Sequence, residues 1–496
     1  MSYFSTRGGS VVTASQAILR GLAPGGGLYV PAMYPQVDLP WIADLAGLPY
    51  AGRAVKVLSL YLEDYTTQEI ESSVNAAYSP ERFDHPDIAP LRRMDDDTWL
   101  LELFHGPTLA FKDMALQLLP HLVRLAARKN GEEREISILV ATSGDTGKAA
   151  LEGFRDVPGT SCTVFYPLDG VSDIQKLQMV TTGGSNTRVI AVEGNFDDAQ
   201  TGVKALFSSA DFAEQMNARG RVLSSANSIN FGRLVPQVVY YFSAYADLLN
   251  RGAIADGTPV NFVVPTGNFG DILAGYYAAR MGLPVNRLIC ASNRNNVLTD
   301  FFAKGTYSTH RLFYRTASPS MDILVSSNLE RLLYDAAERD GDLVALWMRQ
   351  LKDCGSFSVG EQRWSWLQSM FSAGFADDRQ TFEEIELVHR RTGVVLDTHT
   401  AVASRVLSDY RAETGDQTIA VVVSTASPYK FCADVTASLA GRDKVRDLDA
   451  FACAEELSRL SGTPVPAQVA ALRSLPVRHT AVCAKDPEAM AAAVLA

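Results

Sequence analysis

Hydrophobic and polar positions follow two different patterns along this chain. Residues 1 to about 95 are irregular, with a glycine-rich turn at 23–27 and mixed helical stretches. From about residue 97, short β-branched runs alternate with stretches of helical period, a pattern typical of βαβ units around a mostly parallel sheet. This pattern predicts strands at 136–140, 162–166, 188–192, 260–264, 287–290, 394–396 and 419–423, and helices at 197–216, 233–249 and 271–280.

These elements predict an α/β fold with an N-terminal subdomain and two open-sheet domains. We assign the N-terminal subdomain to residues 1–95, a smaller α/β domain to 96–250 and a larger α/β domain to 251–496. The larger domain includes a mainly helical insertion at about 299–391 and a C-terminal tail. Ligands in such folds bind at the carboxyl ends of strands, so we expect the site between the two domains.

Composition and charge narrow the range of partners. The 496 residues include 45 basic and 56 acidic side chains, and the net charge of −11 argues against a nucleic-acid-binding protein. No apolar run approaches the roughly 20 residues of a membrane-spanning helix, and the N-terminus lacks the pattern of a secretion signal. We therefore expect a cytoplasmic protein without membrane partners. The six cysteines form no C-x-x-C pair, and no metal site is predicted.

The segment 264–271 follows an apolar strand and opens a helix. Gly267 and Gly270 let successive backbone N–H groups converge at a helix N-terminus, which favours the binding of a phosphate. A tight connection between strand and helix is the alternative interpretation. The segment lacks the Lys-Ser/Thr pair of a P-loop and the third glycine of a dinucleotide motif, which disfavours a nicotinamide-dependent dehydrogenase.

The loop 142–147, with the sequence TSGDTG, also lies between a strand and a helix. Its hydroxyls and exposed N–H groups suit a carboxylate ligand. Ser, Asp and Gly at the start of a helix also occur without any ligand, so a purely structural loop is the alternative.

Lys112 lies among the apolar residues Leu109, Phe111 and Met114 at the start of a helix that Pro120 is expected to kink or divide. Burial and the positive end of a helix lower the pKa of an amine and favour the free base that attacks a carbonyl. Most lysines in apolar surroundings instead extend to water. A nucleophilic lysine, a phosphate-binding loop and a small-anion loop together point to pyridoxal 5'-phosphate and an amino-acid substrate.

Several motifs at these positions resemble one family. HGPTLAFKDMALQ, ATSGDTG, SANSIN followed by GR, PTGNFGD and STASPYKF occur in this order after the opening QAILRGLAPGGGLYVP. They resemble the threonine synthases, in the longer form found in bacteria and fungi, and the resemblance extends to about residue 440. It implies the tryptophan-synthase-β-like fold of the fold type II pyridoxal-phosphate enzymes. We expect a monomer or a homodimer.

The resemblance also implies roles for individual residues. Lys112 carries pyridoxal 5'-phosphate and moves protons at the α and β carbons of the substrate. Thr425 faces the pyridine nitrogen, which a hydroxyl does not keep protonated. Asp271 begins the helix beneath the cofactor phosphate. The residues implied to bind that phosphate are Gly267, Asn268, Phe269 and Gly270, and those implied to bind the substrate carboxylate are Ser143, Gly144, Asp145 and Thr146.

The implied reaction eliminates phosphate from the γ carbon of O-phospho-L-homoserine and adds water at the β carbon, which gives L-threonine. The substrate phosphate needs a cationic pocket, for which Arg233 with Asn227 and Asn230 is the first candidate and Lys176 the second. Two alternatives stay open. One is a phospho-lyase or serine/threonine dehydratase that releases 2-oxobutanoate and ammonia, and the other is a non-catalytic protein that binds the cofactor or a phosphorylated metabolite.

Two positions depart from the family pattern. The family commonly has histidine where this chain has Ser427, which puts in doubt a proton or phosphate contact there. It has a small residue where this chain has Lys148, which adds a charge close to the carboxylate loop. His399 also lies in a segment that resembles the family, as either a ligand contact or a structural hydrogen-bonding residue.

Overall fold

The computed structural model describes residues 1–142, 144–168 and 171–496. Its larger sheet has six strands, which are parallel except for the last pair. The middle strand, Val260–Pro265, is buried along its whole length, as expected for a parallel sheet covered on both faces. In spatial order the six strands are Phe371–Phe375, Val285–Ser292, Val260–Pro265, Ala420–Ser424, Thr98–Glu102 and Leu91–Arg93.

The smaller sheet has five strands, all parallel to their neighbours. In spatial order they are Ala481–Ala484, Thr187–Glu193, Thr160–Pro167, Glu135–Ala141 and Arg221–Ser224. Two short antiparallel pairs complete the described strands: Tyr3–Ser5 with Tyr29–Pro31, and Thr306–Ser308 with Ser356–Ser358.

Helices cover the faces of both sheets. The long helix Phe231–Asn250 is buried over most of its surface because it packs against helices Gly270–Met281, Tyr50–Tyr61 and Asp113–Leu116. In the described residues, no helix combines the length and the hydrophobicity that crossing a membrane requires. The other α-helices are Ala14–Arg20, Leu39–Asp44, Thr67–Ala77, Leu119–Lys129, Asp145–Phe154, Asp173–Val180, Phe196–Ser208, Ala210–Ala218, Val297–Lys304, Leu329–Ala336, Gly341–Cys354, Glu361–Gln368, Asp378–Thr392, Thr398–Thr414, Cys432–Ala440, Arg442–Val445, Ala450–Ser461, Ala467–Ala470 and Pro487–Leu495.

Most of the predicted elements are present, and two differ. The predicted strand at 394–396 is an extended segment without a strand partner, which leads into the Asp397 cap of helix Thr398–Thr414. A short apolar run alone does not tell a strand from such a buried segment. The predicted helix at 197–216 is two helices, because Ser209 ends the first and accepts a hydrogen bond from the Phe212 N–H at 3.2 Å, which caps the second.

The predicted domain segments also need correction. Strand Thr98–Glu102 was expected in the smaller domain, but it pairs with Ala420–Ser424 in the larger sheet. Strand Ala481–Ala484 was expected in the larger domain, but it pairs with Thr187–Glu193 in the smaller sheet. Local pattern identifies a strand and not its partner, so sequence neighbours were assigned to the same sheet. The segment that contains Lys112 therefore follows a strand of the larger sheet.

Pro120 divides the helix after Lys112, as predicted. The short helix Asp113–Leu116 ends before Leu119–Lys129 begins, and Pro120 occupies the first turn of the second helix, where its missing N–H costs nothing. Gly153, in helix Asp145–Phe154, packs directly against this break, because a Cβ there would overlap the carbonyl oxygen of Leu116.

Replacing Gly153 with Ala is expected to lower the free energy of unfolding by about 2 kcal/mol, because the added methyl group forces two closely packed helices apart. Urea unfolding measures the effect. Gly47→Ala is the matched control, since a Cβ at Gly47 contacts nothing within 4 Å. Equal stability of the two variants would contradict the close packing of these helices.

Candidate active site

One cavity of about 890 Å³ lies at the carboxyl ends of strands from both sheets. Asp145 and Thr146 begin the helix that follows strand Glu135–Ala141 of the smaller sheet, and Thr425 directly follows strand Ala420–Ser424 of the larger sheet. The sequence candidates that line the cavity are Lys112, Asp145, Thr146, Asn227, Arg233, Gly267, Asn268, Phe269, Gly270, Asp271, His399 and Thr425. Ser143 lies outside the described residues.

Lys112 occupies the N-cap position of helix Asp113–Leu116, and its side chain is 11% exposed. Its Nζ lies 4.5 Å from the centre of the Phe111 ring and 3.6 Å from Oδ2 of Asp145. Burial lowers the pKa of the Lys112 amine; Asp145 opposes this shift, and the charges of Lys430 and Arg233 add to it. At neutral pH, a larger share of the Lys112 amine is therefore unprotonated than in a lysine exposed to water.

The segment before Lys112 is fixed to the larger sheet. The N–H of Phe111 donates to the carbonyl oxygen of Thr425 at 2.8 Å, directly after the strand Ala420–Ser424. On the other side, the buried Asp113 carboxylate accepts 2.8 Å hydrogen bonds from both the N–H and the hydroxyl of Thr108. Lys112 is thus anchored on both sides.

The loop 267–271 has the geometry of an anion cradle. The N–H groups of Gly267, Asn268 and Phe269 donate to no protein acceptor within the ranges that the structure describes. The carbonyls point the other way, because Ser326 donates to the Gly267 oxygen at 2.8 Å and Asn328 to the Asn268 oxygen at 3.1 Å. The free N–H groups stand at the N-terminus of helix Gly270–Met281, where the helix dipole adds to their positive potential.

Two details hold this loop in shape. Phe269 has the left-handed φ of +64°, and a Cβ at Gly267 would lie 2.6 Å from the carbonyl oxygen of Ser320. Below the loop, one oxygen of Asp271 accepts hydrogen bonds from Tyr240 at 2.6 Å and Tyr241 at 2.8 Å. Burial raises the pKa of Asp271 to about 6 against the effect of these hydrogen bonds.

Asp145 is a buried carboxylate between two lysines. Its Oδ1 lies 2.9 Å from Nζ of Lys430 and accepts a hydrogen bond from Gln175 at 2.9 Å. Its Oδ2 faces Lys112 and accepts a hydrogen bond from Ser320 at 3.2 Å. Burial opposes ionisation, but the charges of Lys430 and Lys112 outweigh it and hold the pKa of Asp145 well below its usual value.

Arg233 is a buried cation that faces the cavity. Its Nη1 donates to the carbonyl oxygen of Ala226 at 2.7 Å, while its buried Nε has no partner. In the described part of the chain, no carboxylate lies within ion-pair distance of its guanidinium, and burial lowers its pKa to about 10. A buried charge without a counter-ion is costly, so this position suits an anionic ligand. Asn227 lines the cavity beside it.

Two of the candidates for the substrate-phosphate pocket do not reach the cavity. Asn230 caps helix Phe231–Asn250, and its side chain is fully engaged with Ile18, Ser225 and Gly232. Lys176 is exposed beside a separate surface cavity of about 550 Å³, because the adjacent Gln175 occupies the inward face of helix Asp173–Val180.

The two departures from the family pattern are structural. The Lys148 amine forms a buried ion pair with Glu152 and donates to Thr182 at 2.9 Å, so its charge is neutralised away from the cavity. Ser427 caps a short 3₁₀ helix by accepting a hydrogen bond from the Tyr429 N–H at 3.4 Å. Neither side chain lines the cavity.

His399 lines the cavity and also supports its wall. Its Nε2 accepts a hydrogen bond from the Ser320 N–H at 3.1 Å, so Nδ1 carries the proton and donates to Asp397 at 3.0 Å. Ser320 lies in the segment 318–322, which resembles the family, whereas sequence reasoning assigned no role to Gln175 or Lys430. Lys430 lies within the motif STASPYKF, which was a signal that could have identified it.

His105 fixes the start of the loop that leads to Lys112. Its two ring nitrogens lie 2.8 Å from Asp84 and 3.1 Å from Glu102. Burial acts to lower the pKa of His105, but the hydrogen bonds to the two carboxylates outweigh it and raise the pKa to about 9. The folded protein therefore holds this proton more tightly than the unfolded chain does.

Replacing His105 with Gln is expected to cost about 2 kcal/mol of stability near pH 6. Because the pKa is raised from 6.5 to about 9, the stabilisation is complete below pH 6.5 and disappears as the pH rises through about 9. Urea unfolding across this pH range checks that the free energies of unfolding of the variant and the wild type become equal as the pH rises. His389→Gln is the control, since His389 lies in the separate helix Asp378–Thr392. A difference independent of pH would contradict the prediction.

Models of three families match successive parts of the chain. Threonine synthase N terminus matches residues 2–78, pyridoxal-phosphate dependent enzyme matches 87–425, and threonine synthase C-terminal matches 400–494. The threonine synthase of Pseudomonas aeruginosa is 43% identical over 87% of this chain and 89% of its own length. Threonine synthase-like 1 of Homo sapiens is 41% identical over 84% of this chain. The matched part covers 56% of that longer protein.

A solved structure agrees with these matches. The crystal structure of threonine synthase from Brucella melitensis with bound pyridoxal 5'-phosphate has a TM-score of 0.88 and 38% identity, and the match covers 100% of this chain and 99% of that one. The similarity includes the tail beyond residue 440, where the sequence motifs had ended. The cofactor is pyridoxal 5'-phosphate. The chain belongs to the threonine synthase family of pyridoxal-phosphate-dependent enzymes.

Proposed function

We propose that this chain converts O-phospho-L-homoserine and water into L-threonine and phosphate, as a carbon–oxygen lyase acting on phosphates. One observation carries the proposal. The buried amine of Lys112, the free N–H groups of the 267–271 loop and the uncompensated cation Arg233 open to the same cavity. A cofactor phosphate and a substrate phosphate each need an anion site, and this arrangement offers two.

The residues of the cavity fit the cofactor. The unpartnered N–H groups of Gly267, Asn268 and Phe269 would hold its phosphate, Lys112 would hold it covalently, and Thr425 would face its ring nitrogen. When bound, pyridoxal 5'-phosphate supplies an electron sink for negative charge that develops on substrate carbon atoms. The hydroxyl of Thr425 is a weaker partner for the ring nitrogen than a carboxylate, which restrains side reactions.

The chain's own side chains account for proton transfer and orientation. Lys112, whose pKa burial lowers, would accept the proton from the substrate α carbon and return it later. Arg233 and Asn227 would bind the substrate phosphate, and the positive charge would stabilise phosphate as it leaves. The helix start at Asp145 and Thr146 would bind the substrate carboxylate through backbone N–H groups, since the Asp145 side chain is itself an anion. Gly144 does not line the cavity, and its N–H donates to the Thr142 hydroxyl at 3.0 Å.

A product assay tests the proposal. Purified protein loaded with pyridoxal 5'-phosphate is incubated with O-phospho-L-homoserine, and L-threonine, 2-oxobutanoate and phosphate are measured together. Equal amounts of threonine and phosphate are expected. Phosphate with 2-oxobutanoate and ammonia would identify a phospho-lyase instead, and absence of all products would indicate a binding protein. We further propose a cytoplasmic enzyme that acts as a monomer or homodimer, to be checked by cell fractionation and light scattering.

A further inference from the structure

Lys430 is a buried cation that the proposed reaction does not use. Its side chain is 0% exposed. Its ammonium group contacts three oxygens from separate segments: Asp145 Oδ1 at 2.9 Å, the Thr108 carbonyl at 2.7 Å and Gln178 Oε1 at 3.3 Å. Three acceptors match the three protons of an ammonium group. The arrangement therefore fixes a positive charge at this point in the site.

Asp145 connects this charge to the reactive amine. One carboxylate oxygen contacts Lys430 at 2.9 Å, whereas the other lies 3.6 Å from Nζ of Lys112. The carboxylate is thus shared, and its closer contact is with Lys430. A carboxylate already neutralised by one lysine stabilises a proton on a second lysine less than a free carboxylate does.

We propose that Lys430 is a positioning residue that acts through Asp145 to keep the nitrogen of Lys112 from retaining its proton. The inference rests on the proposed role of Lys112 as the residue that holds the cofactor. The other charged groups facing Lys112 are Arg233, which acts in the same direction as Lys430, and Asp271, which is buried beneath the loop. Asp113 and Lys148 are also charged groups that interact with Lys430.

The direction of the effect follows from the charges. Without Lys430, the buried Asp145 carboxylate has Lys112 as its remaining lysine partner, and the repulsion between the two lysines is lost. Both changes favour the protonated nitrogen at position 112. The pH at which this nitrogen loses its proton should therefore rise in Lys430→Met and fall in Asp145→Asn, because Asp145 acts to retain the proton.

A spectroscopic pH titration of the holoenzyme without substrate tests this inference. The visible absorbance of the cofactor bound to Lys112 is followed against pH in the wild type, Lys430→Met, Asp145→Asn and the double variant. We expect the midpoint to rise by about one pH unit in Lys430→Met, which is a tenfold change in proton affinity. Lys129→Met is the control, because Lys129 is also a paired lysine, with Glu69 at 2.8 Å, but does not line the cavity, and its midpoint should stay unchanged.

The outcomes separate the possible failures. An unchanged midpoint in Lys430→Met overturns the inference, and so does an unchanged midpoint in Asp145→Asn if Lys430→Met does not fold. If Lys430 acts through Asp145, adding Lys430→Met to Asp145→Asn should move the midpoint much less than Lys430→Met moves it in the wild type. An equally large shift in both backgrounds would show that Lys430 does not act through Asp145. A cofactor that stays covalently attached to Lys112→Ala after borohydride reduction would instead contradict the proposed function itself, whatever the midpoints are.

Discussion

Replacing Lys112 with Ala is expected to lower the rate of threonine formation by at least about 10³-fold and to abolish the covalent attachment of the cofactor, which changes its absorbance spectrum. The side chain has two roles in the proposed reaction, covalent attachment and proton transfer, and proton transfer by a positioned group alone contributes about 10²–10⁴-fold. Measurements of kcat and of the absorbance spectrum after loading with pyridoxal 5'-phosphate check both roles. Stability should change little, because Asp145 keeps its closer ion pair with Lys430 when Lys112 is removed.

The control for this prediction is another buried lysine. Lys148→Ala leaves the cavity intact, since Lys148 pairs with Glu152 and does not line it. It is expected to lower stability, because Glu152 loses a partner, without loss of the visible absorbance. A Lys112→Ala protein that retains a covalently attached, borohydride-reducible cofactor would contradict the assignment.

The candidate lysine and the candidate anion-binding loop could be predicted from sequence because each depends on local structure. The loop 267–271 is a strand, a glycine turn and a helix start in unbroken order, so its anion-binding geometry follows from a few adjacent residues. Lys112 was identifiable because a lysine in an apolar segment at a helix start is unusual. The structure brings both to the cavity that was expected at the carboxyl ends of the strands.

The contacts that affect the pKa of Lys112 could not be predicted from local sequence in the same way. Lys430 and Gln175 reach Asp145 from distant parts of the chain, and local pattern carries no information about such pairs. Lys176 was selected for its charge, whereas the direction of helix Asp173–Val180 turns the uncharged Gln175 inward instead. The strand Thr98–Glu102 shows the same limit at a larger scale, because its partner strand lies far along the chain.

Arg233 is the residue where stability and function are expected to conflict. Its guanidinium is buried, has one unpartnered nitrogen and lacks an ion pair within the described residues. Desolvation of an unpaired charge is unfavourable for folding, so Arg233→Met should keep the free energy of unfolding within about 1 kcal/mol of the wild type. A residue that contributes little to stability and still holds a buried charge is expected to act on a ligand.

Arg233→Met is therefore expected to raise the KM for O-phospho-L-homoserine by about 10–100-fold. A factor of this size corresponds to about 1.4–2.8 kcal/mol, which is the loss of one hydrogen bond to a charged group. Inhibition by inorganic phosphate should weaken by a similar factor. Lys176→Met is the matched control, because Lys176 was the second sequence candidate and lies outside the cavity. Steady-state kinetics with both variants checks the difference.

The affinity of Arg233→Met for the cofactor shows to which of the two anion sites of the cavity Arg233 belongs. If Arg233 binds the substrate phosphate, Arg233→Met retains the affinity for pyridoxal 5'-phosphate while the KM for the substrate rises. If the variant instead loses the cofactor at an unchanged KM, then Arg233 belongs to the site formed by the 267–271 loop, and the assignment to the substrate is wrong. Equal KM values for Arg233→Met and Lys176→Met would contradict a role of Arg233 in substrate binding, because a buried cation facing the substrate phosphate must affect its affinity.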